Sequence, residues 1–374
     1  VIRERREELT ITIPMPGSSN AGAAGEVTYG QGSGLPRDLP LTMLLLMCEG
    51  RWNVTANAGV VLPEAPVSLI RNVQLRGTKV TGGGSITLVN LSGEELAFFT
   101  EMYNQYTPLG IRRQPLSVPG STFPGPGVAV GNGNFDFRFA LIVPIAPFYA
   151  THEDEIAGIL DPSIFSQLDL VVRFGDATAL ASAAVTSTFS AFGSASGVPA
   201  ITVTRFSPLA ANLPINQYHY TLLSRQFQWG NLPASGADTL IGQLQIGNKI
   251  RGLLLRQYAQ SASVPKLMTA ARVGDGIAAG INRFRVKLNG SEKLRVRNVD
   301  LREINARDGG FRQELLQGYA LVDWASRGFM EDIFDTRGFG ATATRFELYA
   351  DFTGMTPSTD ALDVTQIEQV KVEV

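Results

Sequence analysis

The sequence predicts an all-β protein organised as two tandem β-sandwich domains. Three observations carry that reading: alternation of apolar and polar residues in many short segments, a composition poor in charge and rich in turn residues, and an internal repeat with a period near 200 residues. Of 374 residues, 39 are Gly and 20 are Pro, and 18% are charged, against about 25% in an ordinary globular domain. Apolar residues make up 44%, enough to exclude disorder and to supply a sizeable core.

The alternating segments predict strands in order along the chain. They are LTITI (9–13), FDFRF (135–139), LDLVVRF (168–174), ITVTRF (201–206), YHYTLL (218–223), LIGQLQI (240–246), FRVKL (284–288), RFELY (345–349) and VKVEV (370–374). One polar and one apolar face per strand implies antiparallel sheets packed on one side. The longest apolar run, 41–48, is interrupted by Thr42 and is far shorter than the roughly 20 residues of a membrane-spanning helix. The first eight residues hold three Arg and three Glu and no apolar signal core. They are expected to form a solvated arm or short helix, or an arm docking on a neighbouring subunit.

The repeat organises the rest. VQLRG (73–77) recurs as VKLNG (286–290), each read as a strand end with a Gly turn. A capping box follows in both copies, Ser92 with Glu95 and Asp300 with Glu303, in which each side chain satisfies the other's backbone N–H. Later, FDFRFAL (135–141) matches FELYADF (346–352), and QLDLVV (167–172) matches QIEQVK (366–371). The expected division is an arm at 1–8, a first domain at 9–206, a linker at 207–214 and a second domain at 215–374. Three stretches, 18–37, 107–134 and 176–199, read as long loops of Gly, Ala, Ser and Pro. Loops of that length are usually functional or held by partners, and Ala and Val in the third suggest that it packs against something.

Motifs for chemistry are nearly absent. There is one Cys and there are two His, which excludes disulfide scaffolds and cysteine zinc sites. His152, Glu153, Asp154 and Glu155 could hold a cation, but Thr151 followed by acids reads better as a helix start. His219 alternates with Tyr218 and Tyr220 on a strand. Cys48 follows LLLM (44–47) and reads as a small core residue. Gly30, Gly32 and Gly34 echo a dinucleotide loop, but the third Gly comes too early and no helix follows. Asn53 and Asn289 begin glycosylation sequons, and Asn289-Gly290 is better explained as a hairpin turn. No catalytic, metal or cofactor residue is assigned, and the chain is not expected to be an enzyme. Charge is uneven: residues 283–312 hold nine basic residues against four acidic ones. Arg283, Arg285, Lys287 and then Lys293, Arg295, Arg297 place a basic stripe along a strand pair. It reads as an exposed face with salt links, or as a contact for nucleic acid or anionic lipid.

Two β-domains in tandem, each with a short capped helix and long loops, resemble the double jelly-roll major capsid proteins of tailless icosahedral viruses, the tectivirus and adenovirus-hexon lineage. The likeness rests on 73–77 with Ser92 and Glu95, on 286–290 with Asp300 and Glu303, and on the paired late strands. It implies two jelly-roll domains and a structural role in a virion shell, here of a bacteriophage, as a homotrimer forming a pseudo-hexagonal block. It further implies contacts with neighbouring trimers, with minor capsid or vertex proteins, and with an internal membrane or the genome through residues 1–8 or the basic stripe. The alternative is a secreted carbohydrate-binding or glycan-processing β-sandwich, which would want clustered exposed Trp, whereas Trp52, Trp229 and Trp324 lie far apart in sequence. A two-domain cupin enzyme would need more His than His152 and His219 supply.

Overall fold

The structure is a computed structural model. It describes residues 4–14, 26–29, 34–56, 59–62, 64–80, 82–106, 122–125, 127–145, 159–182, 187–208, 219–230, 232–260, 265–267, 280–309, 318–324, 334–337, 344–353 and 360–371. The chain divides into two compact units, one of Val1–Thr221 with Val372–Val374 and one of Leu222–Lys371.

The strands of the first unit are β1 (Glu4–Pro14), β2 (Glu26–Tyr29), β3 (Met43–Val54), β4 (Gly59–Val60), β5 (Ile70–Lys79), β6 (Ser85–Leu91), β7 (Ala129–Val130), β8 (Gly133–Pro144), β9 (Phe165–Phe174), β10 (Ser187–Ser190) and β11 (Ala200–Pro208). Helix α1 (Gly93–Tyr106) follows β6. One sheet runs β1-β11-β3-β8 and the other β2-β9-β5-β6. Every pairing between the elements of these two sheets is antiparallel. Numbering the eight main strands by rank, the two sheets read 1-8-3-6 and 2-7-4-5, which is the jelly roll.

The second unit repeats that wiring. Its strands are β12 (His219–Gly230), β13 (Gly236–Gln243), β14 (Lys249–Gln260), β15 (Pro265–Leu267), β16 (Gly280–Leu288), β17 (Ser291–Arg297), β18 (Tyr319–Asp323), β19 (Phe334–Asp335), β20 (Phe346–Thr353) and β21 (Asp360–Lys371), with α2 (Asn298–Gly309) after β17. The sheets are β12-β21-β14-β18 and β13-β20-β16-β17. Main strands by rank again read 1-8-3-6 and 2-7-4-5. The fold is therefore all-β, two tandem jelly rolls, each with its helix between strands five and six.

The repeat is real, but its sequence alignment was only half right. The hairpin β5–β6 before α1 does correspond to β16–β17 before α2. The late strands do not correspond as expected. By pairing, β8 is the counterpart of β18, β9 of β20 and β11 of β21, whereas the sequence patterns matched β8 to β20 and β9 to β21. The second unit has shorter connections after its helix, so a constant offset slid the match by one strand. The two Gly residues of the repeat also differ. Asn289 (φ 50°) and Gly290 (φ 78°) form the two-residue turn joining β16 to β17, as the left-handed positions of a type I′ turn require. Gly77 is inside β5, opposite Ile86 and Leu168. A Cβ there would stand 2.5 Å from the Phe165 ring, so this position is glycine for close packing, not for a turn.

The first capping box forms: Ser92 N donates to Glu95 Oε2 at 2.8 Å and Glu95 N to Ser92 Oγ at 3.3 Å. The second does not. α2 begins at Asn298, whose Nδ2 donates to Ile281 O at 3.1 Å, and Asp300 is drawn into a two-pronged contact with Arg297 at 2.7 Å.

Of the expected arm, Glu4–Glu8 open β1 and pair with Thr204–Pro208 of β11 instead of standing apart, and residues 1–3 lie outside the described residues. Ser207 and Pro208 of the expected linker end β11, and the rest of it lies outside the described residues. The first expected loop contains β2. The third contains β10 and packs on its own unit: Ala177, Ala179, Leu180, Ala181 and Phe189 are buried, and Ser68 Oγ donates to Ala179 O at 2.7 Å.

Substituting Gly77→Ala should lower unfolding free energy by about 1–3 kcal/mol through overpacking against Phe165. Gly84→Ala, in open space with negative φ, should cost much less, and urea denaturation of both variants checks the contrast. Ser92→Ala should cost about 1 kcal/mol by removing the α1 cap, read the same way.

Candidate assembly surfaces

Several residues singled out from sequence have structural roles. Cys48 is buried, and desolvation, then the neighbouring Glu49 charge, pushes its thiol far above the ordinary range. A thiol held neutral is a poor nucleophile and a poor metal ligand. Trp52 is fully buried and donates to Ser187 Oγ at 2.9 Å. Trp324 packs on Phe334 and Phe346, with centroids 5.9 and 6.4 Å away. Asn53 donates its Nδ2 to Ser190 Oγ at 3.0 Å. Residues 151–155 lie outside the described residues, and His219 lies in β12. Gly34 has φ 65° and is followed by no helix, while 30–33 are outside the described residues. Among the described residues no group of three or more His, Cys, Asp or Glu could hold a metal, and no helix is long and apolar enough to cross a membrane.

The polar faces of the sheets are where the sequence places charge. In the first unit, Arg51 of β3 grips Asp136 of β8 with two bonds, Nε–Oδ1 at 2.7 Å and Nη2–Oδ2 at 2.9 Å. The same carboxylate accepts Gly193 N at 3.0 Å, and Asp136 N donates to Thr122 Oγ1 at 2.8 Å. Asp136 therefore staples two long excursions onto one strand. The Arg51 hydrogen bond is the largest cause holding its carboxyl below the ordinary range. Beside it, Arg138 pairs with Glu49 at 2.8 Å and lies 4.5 Å from the Phe192 ring centroid.

In the second unit the basic stripe is on the sheet β13-β20-β16-β17. Phe284, Val286 and Leu288 of β16 enter the core, so alternation turns Arg283, Arg285 and Lys287 outward. Register then sets Arg283 opposite Arg297 and Arg285 opposite Arg295, like charges that repel across the strand pair. Acids on the other flank relieve part of this. Asp351 of β20 lies 3.5 Å from Arg283 and 3.3 Å from Arg285, and Asp238 of β13 lies 3.0 Å from Arg285 and 2.9 Å from Lys287. The Lys287 hydrogen bond leads in holding the Asp238 carboxyl below its ordinary range. Lys287 also covers the Tyr349 ring at 4.0 Å, and the Tyr349 hydroxyl donates to Glu347 at 3.0 Å. Burial, followed by that bond, raises the Tyr349 phenol. The sequence showed the basic residues; Asp238 and Asp351, 45 residues before and 68 after Arg283, became their partners only through sheet order.

Asp136, Asp238 and Asp335 all ionise below the ordinary carboxylate range, Asp335 at about 2 because of Arg337. A carboxyl depressed by folding contributes stability that is complete above its unfolded value, about 3.9, and is lost as pH falls toward the folded one. The thermal midpoint should therefore drop between about pH 5 and pH 2. Asp136→Asn should lower unfolding free energy by about 1–3 kcal/mol at pH 7 and flatten that drop, measured by calorimetry against pH.

No protein-family model matches the sequence, and no curated protein matches it. Solved structures do. The STIV MCP superposes with TM-score 0.63 at 16% identity, covering 98% of this chain and 97% of that one. A chain in the atomic structure of Sulfolobus Turreted Icosahedral Virus gives 0.62 at 15% identity, covering 98% and 90%. The major capsid protein P2 from Bacteriophage PM2 gives 0.48 at 10% identity, covering 99% and 98%. The first two share the fold described above over nearly the whole chain.

Proposed function

We propose that this chain is a major capsid protein: a structural, non-enzymatic subunit that assembles as a pseudo-hexameric trimer and builds an icosahedral virion shell. The observation that carries the reading is the doubled jelly roll itself, present twice with the same strand order and matched end to end at TM-score 0.63 by the STIV MCP. Two similar domains per chain make three chains approximate a hexagon, which a closed three-fold ring tiles into a shell. A residence in the virion, contacts with neighbouring trimers and with minor or vertex proteins, and a bacteriophage source follow as parts of the same proposal. The charged faces favour a packing role over catalysis, because Arg51, Asp136, Arg283, Arg285 and Lys287 are engaged with one another's strands and with loops.

The carbohydrate-binding alternative is less well supported. A sugar cleft needs exposed aromatic rings, and Trp52 and Trp324 are committed to the interior of their own units.

Light scattering on the purified chain after size exclusion should give about 120 kDa, three times the 40.3 kDa chain, and negative-stain images should show hexagonal blocks. A strict monomer that binds an oligosaccharide would sink the capsid reading.

A further inference from the structure

We propose that the outer edge of β17 is a face on which one copy of the chain binds the next, with Lys293 and Arg295 pairing with carboxylates of the second copy. The inference rests on the trimer reading and adds where the contact lies.

The hairpin β16–β17 carries more positive charge than its neighbouring acids pair with. Of the six basic residues of β16 and β17, Arg283, Arg285 and Lys287 have Asp351 and Asp238, and Arg297 has Asp300. Lys293 and Arg295 form no ion pair within 4.0 Å among the described residues, both are exposed, and Arg295 feels only the more distant charge of Asp238, which already binds Arg285 and Lys287. Arg295 also sits opposite Arg285, a repulsion that an added carboxylate would relieve. β17 pairs only with β16 among the described residues, which places it at the edge of its sheet there. The register shift from Val286–Leu294 to Lys287–Glu292 leaves Lys293 as the extra residue of a bulge. A bulge with a Lys on an edge opposes addition of another strand. The contact is therefore made by side chains, not by extending the sheet.

A second copy suits this edge by charge. Residues 283–297 hold six basic residues and one acidic, a balance of +5, in a chain whose total is −2. Everything else in a second copy thus carries −7. A polynucleotide fits less well. Tyr349 on this face, where a base could stack, is already covered by Lys287.

The test is the mass of the full-length chain by light scattering across a dilution series, for wild type, for Lys293→Glu with Arg295→Glu, and for the Gln pair at the same positions. The reversed variant should need at least a tenfold higher concentration to hold its trimer, and the Gln pair should fall between. Circular dichroism and melting temperature should stay those of wild type; should the reversed variant misfold, the Gln pair decides alone. Trimers of unchanged strength in the folded variants would overturn the assignment while leaving the trimer reading intact. A wild-type monomer would instead overturn the trimer reading and this one with it. Loss of binding to anionic vesicles or single-stranded DNA, with trimers unchanged, would reassign the edge to a polyanion.

Discussion

Each unit depends on one long strand paired along both edges. β3 runs twelve residues beside β8 on one side and beside β11, then β10, on the other. β14 does the same between β21 on one side and β15, β18 and β19 on the other. A strand so placed cannot shift by one residue without turning its whole apolar row away from the core. Leu44, Leu46, Cys48, Trp52 and Val54 make that row in β3. Ile250, Leu253 and Leu255 make it in β14. The strands paired with them, β8, β10 and β11 in one unit and β15, β18, β19 and β21 in the other, take their register from these two.

That constraint explains where the polar chemistry went. Beside the central strand, charged groups are used to tie down what the sheet does not hold. Asp136 binds Arg51 on the neighbouring strand and reaches loops at Thr122 and Gly193. In the second unit Arg256 and Asp363 sit on opposed positions of β14 and β21, both fully buried and 3.7 Å apart. Buried ion pairs of this kind add little net stability, because desolvation offsets the attraction. They do penalise every other register, since a slip would strand a charge.

The legible strands were those with one wet face. β1, β8, β9, β11, β16 and β20 alternate, and the sequence pattern found them. The central strands did not alternate. LLLMC in β3 was seen as an apolar run, and β14 was not identified at all. Arg251, Leu254 and Arg256 of β14 are buried as well as its core row, so no wet face marks it in the sequence. β6 was hidden for another reason: it lies between a recognised strand end and a recognised cap, whereas β17 was legible as the second strand of the Asn289-Gly290 hairpin. β2 is four residues inside a Gly/Ala-rich stretch, too short to set up a period.

By itself, then, the sequence determined the β class, the doubled architecture, the α1 cap and the hairpin at Asn289-Gly290, because each is local and written in adjacent residues. It also determined that six bases would line one strand pair. Only the tertiary structure decided which late strands correspond, that Gly77 serves the Phe165 ring, that Asp300 answers Arg297 instead of capping, and which of the six bases are neutralised. Those outcomes depend on residues brought together from distant parts of the chain by strand order, and no local period encodes strand order.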